Sequence, residues 1–116
     1  MWAEFPLPII RTMDRIETFK TFITRSPADP FPRYGLAMEY KTKGSLAEAW
    51  GAFSELLEKF PDYVPTYLMA SGTLVALGRA ADAADVLRRG IEVAGRRGDL
   101  HARKELETAL AELSPT

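Results

Sequence analysis

A spacing of 34 residues runs through most of this 116-residue chain and restricts its fold more than any single side chain. Gly44 recurs as Gly78, Ala49 as Ala83, Glu48 as Asp82, Leu57 as Ile91 and Glu58 as Glu92. The same step backwards takes Pro61 to Pro27, Phe53 to Phe19 and Leu57 to Ile23. A fixed period of this size marks stacked supersecondary units, none of which can bury its apolar face without a neighbour. Such chains usually work by presenting a surface. The period therefore points to binding another chain without identifying it.

Composition removes most other classes of function. Charged residues make up 27% and apolar ones 47%, the balance of a globular protein rather than a disordered one. Fifteen Lys and Arg face sixteen Asp and Glu, so no global field favours nucleic acid or an anionic membrane. With no cysteine there is no disulfide or thiolate site, and the lone histidine, His101, cannot make a multi-histidine metal site within one chain. No cofactor is expected. No apolar run approaches the roughly 18 residues of a membrane span. The opening MWAEFPLPII lacks a basic n-region, carries Glu4 and is interrupted by Pro6 and Pro8, so it reads poorly as a signal peptide, and a cytoplasmic location is expected. Residues 1–12 are expected to be a flexible N-terminal extension, or the product of a start codon placed too early.

Helix signals subdivide the period. Asp14 with Glu17 three residues on has the pattern of an N-cap and capping box. Behind it Ile16, Phe19 and Ile23 form a helical stripe widened by Phe22. Pro27 disfavours helical geometry at Ser26 and should end this helix. Pro27, Pro30 and Pro32 mark a stiff connector, with Pro32 suited to a first helical turn. A second helix is predicted from about Arg33 to Lys43, closed by Gly44 in the left-handed C-cap role. Ser45 can cap a third, which carries Ala49, Trp50, Phe53, Leu56 and Leu57 before Pro61. A fourth spans about Pro65 to Leu77 and ends at Gly78. A fifth runs from about Ala80 to Ala94, after which Gly95 and Gly98 bracket Arg96 and Arg97 as a turn. The last, about Asp99 to Leu113, places Leu106, Ala109, Leu110 and Leu113 on one face. No stretch alternates apolar and polar residues over strand length, so the expected fold class is all-α, with about six helices.

These residues resemble the tetratricopeptide repeat, whose 34-residue unit follows W-x2-L-G-x2-Y…A-x3-F…P. Arg33, Leu36, Ala37 and Tyr40, then Ala49 and Phe53, then Pro61, match it in all but the initial aromatic. Tyr67, Ala70, Ser71 and Leu74, then Ala83 and Leu87, supply a second unit, with Gly95 in place of the proline. The physical roles are plain. Ala37, Ser71, Ala49 and Ala83 allow close helix approach, while Tyr40, Phe53, Leu74 and Leu87 fill the space between helical layers. The resemblance implies antiparallel helical hairpins stacked into an α–α superhelix. It reads residues 13–113 as one domain, with an N-terminal helix at 14–26, repeats at about 30–63 and 64–97, and a capping helix at 99–113. Two full repeats thus have flanking helices. Stepping 34 residues from Tyr67 and Ala70 lands on His101 and Lys104, so the last helix is out of frame.

The resemblance also implies a concave groove lined by the first helix of each pair. That face would present Phe31, Tyr34, Met38 and Lys41 and, one unit on, Val64, Leu68, Gly72 and Val75. A surface helix should be polar there; this face is largely apolar. Three covers are open: the chain's own terminal helix or first ten residues, a peptide or helix of a partner, or a second copy. The expectation is a non-enzymatic adaptor or scaffold that binds an unidentified protein or peptide through Phe31, Tyr34, Met38, Lys41, Leu68 and Val75. By spacing off the packing stripe, Tyr34, Met38 and Leu68 are expected to matter more for binding than for stability. One alternative is an assembly subunit that forms a homodimer through the same strip. A less favoured one is a module that binds RNA or an acidic partner through Arg88, Arg89, Arg96, Arg97, Arg103 and Lys104. Asp85, Glu92, Asp99 and Glu105 interleave with that cluster, which favours a solvated face with ion pairs.

The family's groove for acidic chaperone tails uses Lys, Asn and Arg where Tyr34, Gly35, Met38, Leu68, Met69 and Gly72 stand here. Only Lys41 keeps a charge, so that mode is not expected. His101 beside Asp99 lacks a nucleophile or a second catalytic group, and no phosphate loop or Ser/His/Asp arrangement is present. Gly35, Gly72 and Gly90 inside helices each cost about 1 kcal/mol relative to alanine, for which close helix approach is the ordinary explanation.

Overall fold

Glycine and proline punctuate the chain, and the computed structural model, which describes residues 14–113, breaks its helices at those points. Among the described residues six helices follow one another: α1 Arg15–Arg25, α2 Pro30–Thr42, α3 Leu46–Lys59, α4 Pro65–Ala76, α5 Ala80–Arg96 and α6 Leu100–Leu113. There is no strand among the described residues, so the chain is all-α. The extension expected at 1–12 lies outside them.

The 34-residue period is repeated in the backbone hydrogen bonds. Gly44 and Gly78 take φ values of 79° and 78°, which an L side chain would resist. Beyond them the Ser45 N–H donates to the Tyr40 carbonyl at 2.9 Å and the Arg79 N–H to the Leu74 carbonyl at 2.8 Å, the long closure of a Schellman turn. At the proline stops, the Ser26 and Phe60 N–H groups donate to the Phe22 and Leu56 carbonyls, both at 2.8 Å.

Three local expectations are corrected. First, α2 begins at Pro30, not near Arg33. The Asp29 side chain accepts from the Phe31 N–H at 3.0 Å, and prolines 30 and 32 fall in the first turn, where no intrahelical donor is needed. Second, Ser45 stands at the N-cap of α3, but its side chain makes no capping bond. Third, α5 runs to Arg96, so Gly95 lies inside it and the turn falls at Gly98, whose φ is 72°. Gly95 occupies the place of Pro61, and without a proline nothing stops the helix there. Hence α5 has 17 residues where α3 has 14.

Each helix packs on its sequence neighbours. Beyond these, among the described residues, only α2 with α4 and α4 with α6 touch, so α2, α4 and α6 share one side of the stack. Between the layers, Ala37, Ala49, Phe53, Ala70, Leu74 and Ala83 are wholly buried. Burying a side chain the size of Phe53 or Leu74 contributes about 1.5–3 kcal/mol. Tyr67 is also buried, and its hydroxyl donates to the Pro61 carbonyl at 2.6 Å, tying α4 to the preceding turn. Trp50 is half-buried, with the Arg79 guanidinium 5.5 Å from its ring centre. The result is a rod of 63 × 29 × 21 Å. No described helix is long and apolar enough to cross a membrane.

Candidate functional site

The shared side of α2, α4 and α6 is a groove whose floor is apolar because the packing stripes of α2 and α4 are wider than their hairpin partners can cover. Tyr34 is half-buried and packs edge-on against two rings, with centroids 6.3 Å from Phe53 and 5.7 Å from Tyr63, within the range typical of aromatic pairs. Burial pushes its hydroxyl pKa up, and Tyr63 adds a smaller push in the same direction. Leu68, one turn into α4, is half-buried and links the clefts that run between α4 and α6. One, of about 370 Å³, is lined by Tyr34, Val64, Leu68, Met69, Ala102 and Glu105, among others. The next, of about 480 Å³, continues past Ser71, Gly72 and Val75 to Ala109, Glu112 and Leu113.

Of the six residues expected at the site, the structure thus brings together Tyr34, Leu68 and Val75. Met38, like Tyr34 and Leu68, is half-buried and packs against the core, so these three do not lie off the packing stripe as their spacing predicts. Phe31 is exposed at the start of α2, and Lys41 is half-buried near its end; neither lines these clefts. The terminal helix α6 does not fill the groove. It buries Leu106 and lays Ala102, Ala109, Leu110 and Leu113 against the core, becoming one wall and leaving Val75 45% exposed. The residues that sequence reasoning missed are on that wall: His101, Glu105, Thr108, Ala109 and Glu112 line a cleft with Leu68. Their spacing puts them on one helical face, a signal readable in the sequence once α6 is known to lie beside α4.

The arginine cluster is largely engaged with carboxylates. Arg88 pairs with Asp85 at 3.0 Å, Arg103 with Glu107 at 3.3 Å, and Arg96 and Arg97 share Asp62 at 3.6 and 3.8 Å. Arg89 lies 6.0 Å from the Tyr67 ring centre. Among the described residues no group of three or more His, Cys, Asp or Glu could hold a metal ion.

No family model and no curated protein matches the chain. Solved structures do. A solution structure of a tetratricopeptide repeat domain protein from Salinibacter ruber is 39% identical, with a TM-score of 0.72 over 75% of this chain and 88% of that one. A crystal structure of a tetratricopeptide repeat domain protein from the same organism is 38% identical, with a TM-score of 0.71 over 75% of this chain and 97% of that one. The TPR2B domain of yeast Sti1, in complex with pHsp70, is 19% identical with a TM-score of 0.79, covering 86% of this chain and 80% of that one; at that identity the likeness shows the fold alone.

Proposed function

Because the chain belongs to the tetratricopeptide repeat family, we propose that it is a non-enzymatic protein-interaction module whose groove between α2, α4 and α6 takes a peptide or helix of a partner protein. In this reading the repeats are 30–63 and 64–97, and α1 and α6 flank them. One observation carries it: among the described residues, the floor of the groove is apolar and open. Gly72 is exposed; among the described residues, nothing beyond its chain neighbours and its own helix backbone comes within 4 Å of where a Cβ would stand, and Val75 is 45% exposed. Apolar surface held open on a rigid helix is the setting in which anchor side chains of a partner bind. The yeast TPR2B domain, seen with pHsp70, supports the protein-binding part of the reading.

A Gly72→Leu/Val75→Glu variant tests it. The substitutions fill the floor and charge its edge without touching the core. The expected result is loss of partner capture from an extract of the source cells with an unfolding midpoint that does not fall, since leucine also favours the helix more than glycine does. Capture of the same proteins by the variant would remove the groove from consideration.

Self-association through the same strip is the second reading, favoured by Phe31, 59% exposed at the start of α2. Light scattering separates the two: a dimer gains mass with concentration and loses it in the variant, whereas a groove reserved for partners leaves a monomer throughout.

A further inference from the structure

The two sides of the groove differ in charge. On α4 the lining is Leu68, Ser71, Gly72 and Val75, none of them charged. On α6 it includes Glu105 and Glu112, seven residues and therefore two helical turns apart, about 10 Å along the axis. Lys104 lies on the same wall, as does His101, whose Nε2 is 3.6 Å from Glu105 and carries charge only when protonated. Asp99 also lines the cleft, but its carboxylate accepts the Ala102 N–H at 3.1 Å and serves as the cap of α6. Among the described residues Glu112 has no ion-pair partner. The whole chain carries a formal charge of only −1, so the acidity of this wall is local rather than a share of a general field.

We propose that the groove is matched to an amphipathic helix of a partner protein that lays an apolar stripe on Leu68, Gly72 and Val75 and sets two Lys or Arg side chains against Glu105 and Glu112. This rests on the groove being the binding surface. Cations at that spacing, one heptad apart on the partner, meet both carboxylates at once. Acidic side chains there would be held beside like charge at the edge of an apolar surface. The preference is thus opposite in sign to that of a groove built for acidic tails. Each rim ion pair is worth up to about fivefold in affinity, so two of them should distinguish a basic from an acidic helix by about tenfold.

The probes are two labelled synthetic helical peptides with one shared leucine stripe, carrying either Lys or Glu at two positions seven residues apart. Fluorescence anisotropy at low salt should show the Lys peptide binding about tenfold more tightly. Glu105→Lys/Glu112→Lys should reverse the order. Glu48→Lys/Glu58→Lys, the same change of net charge at exposed positions of α3, should leave it as it was. Gly72→Leu should abolish binding of both peptides. Equal affinities, or an order unmoved by the α6 variant, would overturn the charge assignment while leaving the groove intact. Binding that survives Gly72→Leu would overturn the groove itself, and failure of both peptides to bind would count against the assignment as well.

Discussion

At Gly90 there is no room for a methyl group. A Cβ there would stand 2.6 Å from the Cβ of Tyr67, an atom fixed to the α4 backbone that cannot swing aside. Gly35 is similarly closed by the ring of Phe19. Gly72 and Gly51 differ: among the described residues, nothing beyond the chain neighbours and the helix's own backbone lies within 4 Å of either added Cβ. Gly90→Ala should therefore lower stability by about 1–3 kcal/mol. Gly72→Ala and Gly51→Ala should each raise it by up to about 1 kcal/mol through helix propensity. Urea titration of the three variants checks the set, and a uniform sign would contradict the contacts described. The sequence supports one account of Gly35, Gly72 and Gly90, close helix approach. It holds for the first and third and fails for Gly72, because whether a glycine is crowded depends on a helix distant in the chain.

Three phenols at the same scale set a pH dependence. Burial raises the Tyr34, Tyr63 and Tyr67 pKa values above the ordinary 10.0. The second influence is Tyr63 for Tyr34 and Asp29 for Tyr63, both raising, whereas Arg89 partly lowers Tyr67. The folded state thus holds these protons more tightly than the unfolded one. Their contribution is fully present below pH 10 and is lost as pH rises through the elevated folded values. Stability measured across that alkaline range should fall, in step with phenolate absorbance appearing later than in the unfolded chain. Phenols that ionise together at their ordinary value in the folded protein would contradict this.

Helices were legible where their signals are local. The stops at Gly44, Gly78, Pro27 and Pro61 depend on φ and on a missing donor, both properties of the residue itself, and each ends a helix as expected. The end of α5 was not legible, because the repeat pattern suggested a stop at a position where this chain has glycine instead of proline. The consequence runs against the family pattern. Gly95→Pro restores the repeat's proline, yet it would remove an intrahelical donor from the last turn of α5, disturb the Gly98 turn and shift α6. The expected cost is about 3 kcal/mol, read as a lowered unfolding midpoint. An unchanged midpoint would mean that α6 does not depend on the length of α5. The acidic wall of the groove was hidden for a related reason: Glu105 and Glu112 lie 37 and 44 residues beyond Leu68, and only the packing of α6 against α4 brings them together.

Across the whole molecule the stack has unequal ends. Its radius of gyration is 16.8 Å, against about 13 Å for a compact domain of this size, because each helix is supported mainly by its neighbours. The 34-residue step shows what the first helix lacks. Phe22 of α1 occupies the place of Leu56 in α3, yet Phe22 is 45% exposed and Leu56 is wholly buried. No residue of α1 is buried, whereas α4 and α5 have six each and α6 has one. Local opening should follow that gradient, since free energy of opening rises with the apolar contacts broken. In native-state hydrogen exchange, the amides of α1 should exchange fastest and those of α4 and α5 slowest. The groove then has a firm floor on α4 and a more yielding wall on α6. A bound segment spanning the two should slow exchange in α6 more than in α4, which has less left to gain. Uniform protection from α1 to α6 in the free protein would show one cooperative unit and overturn this account of its ends.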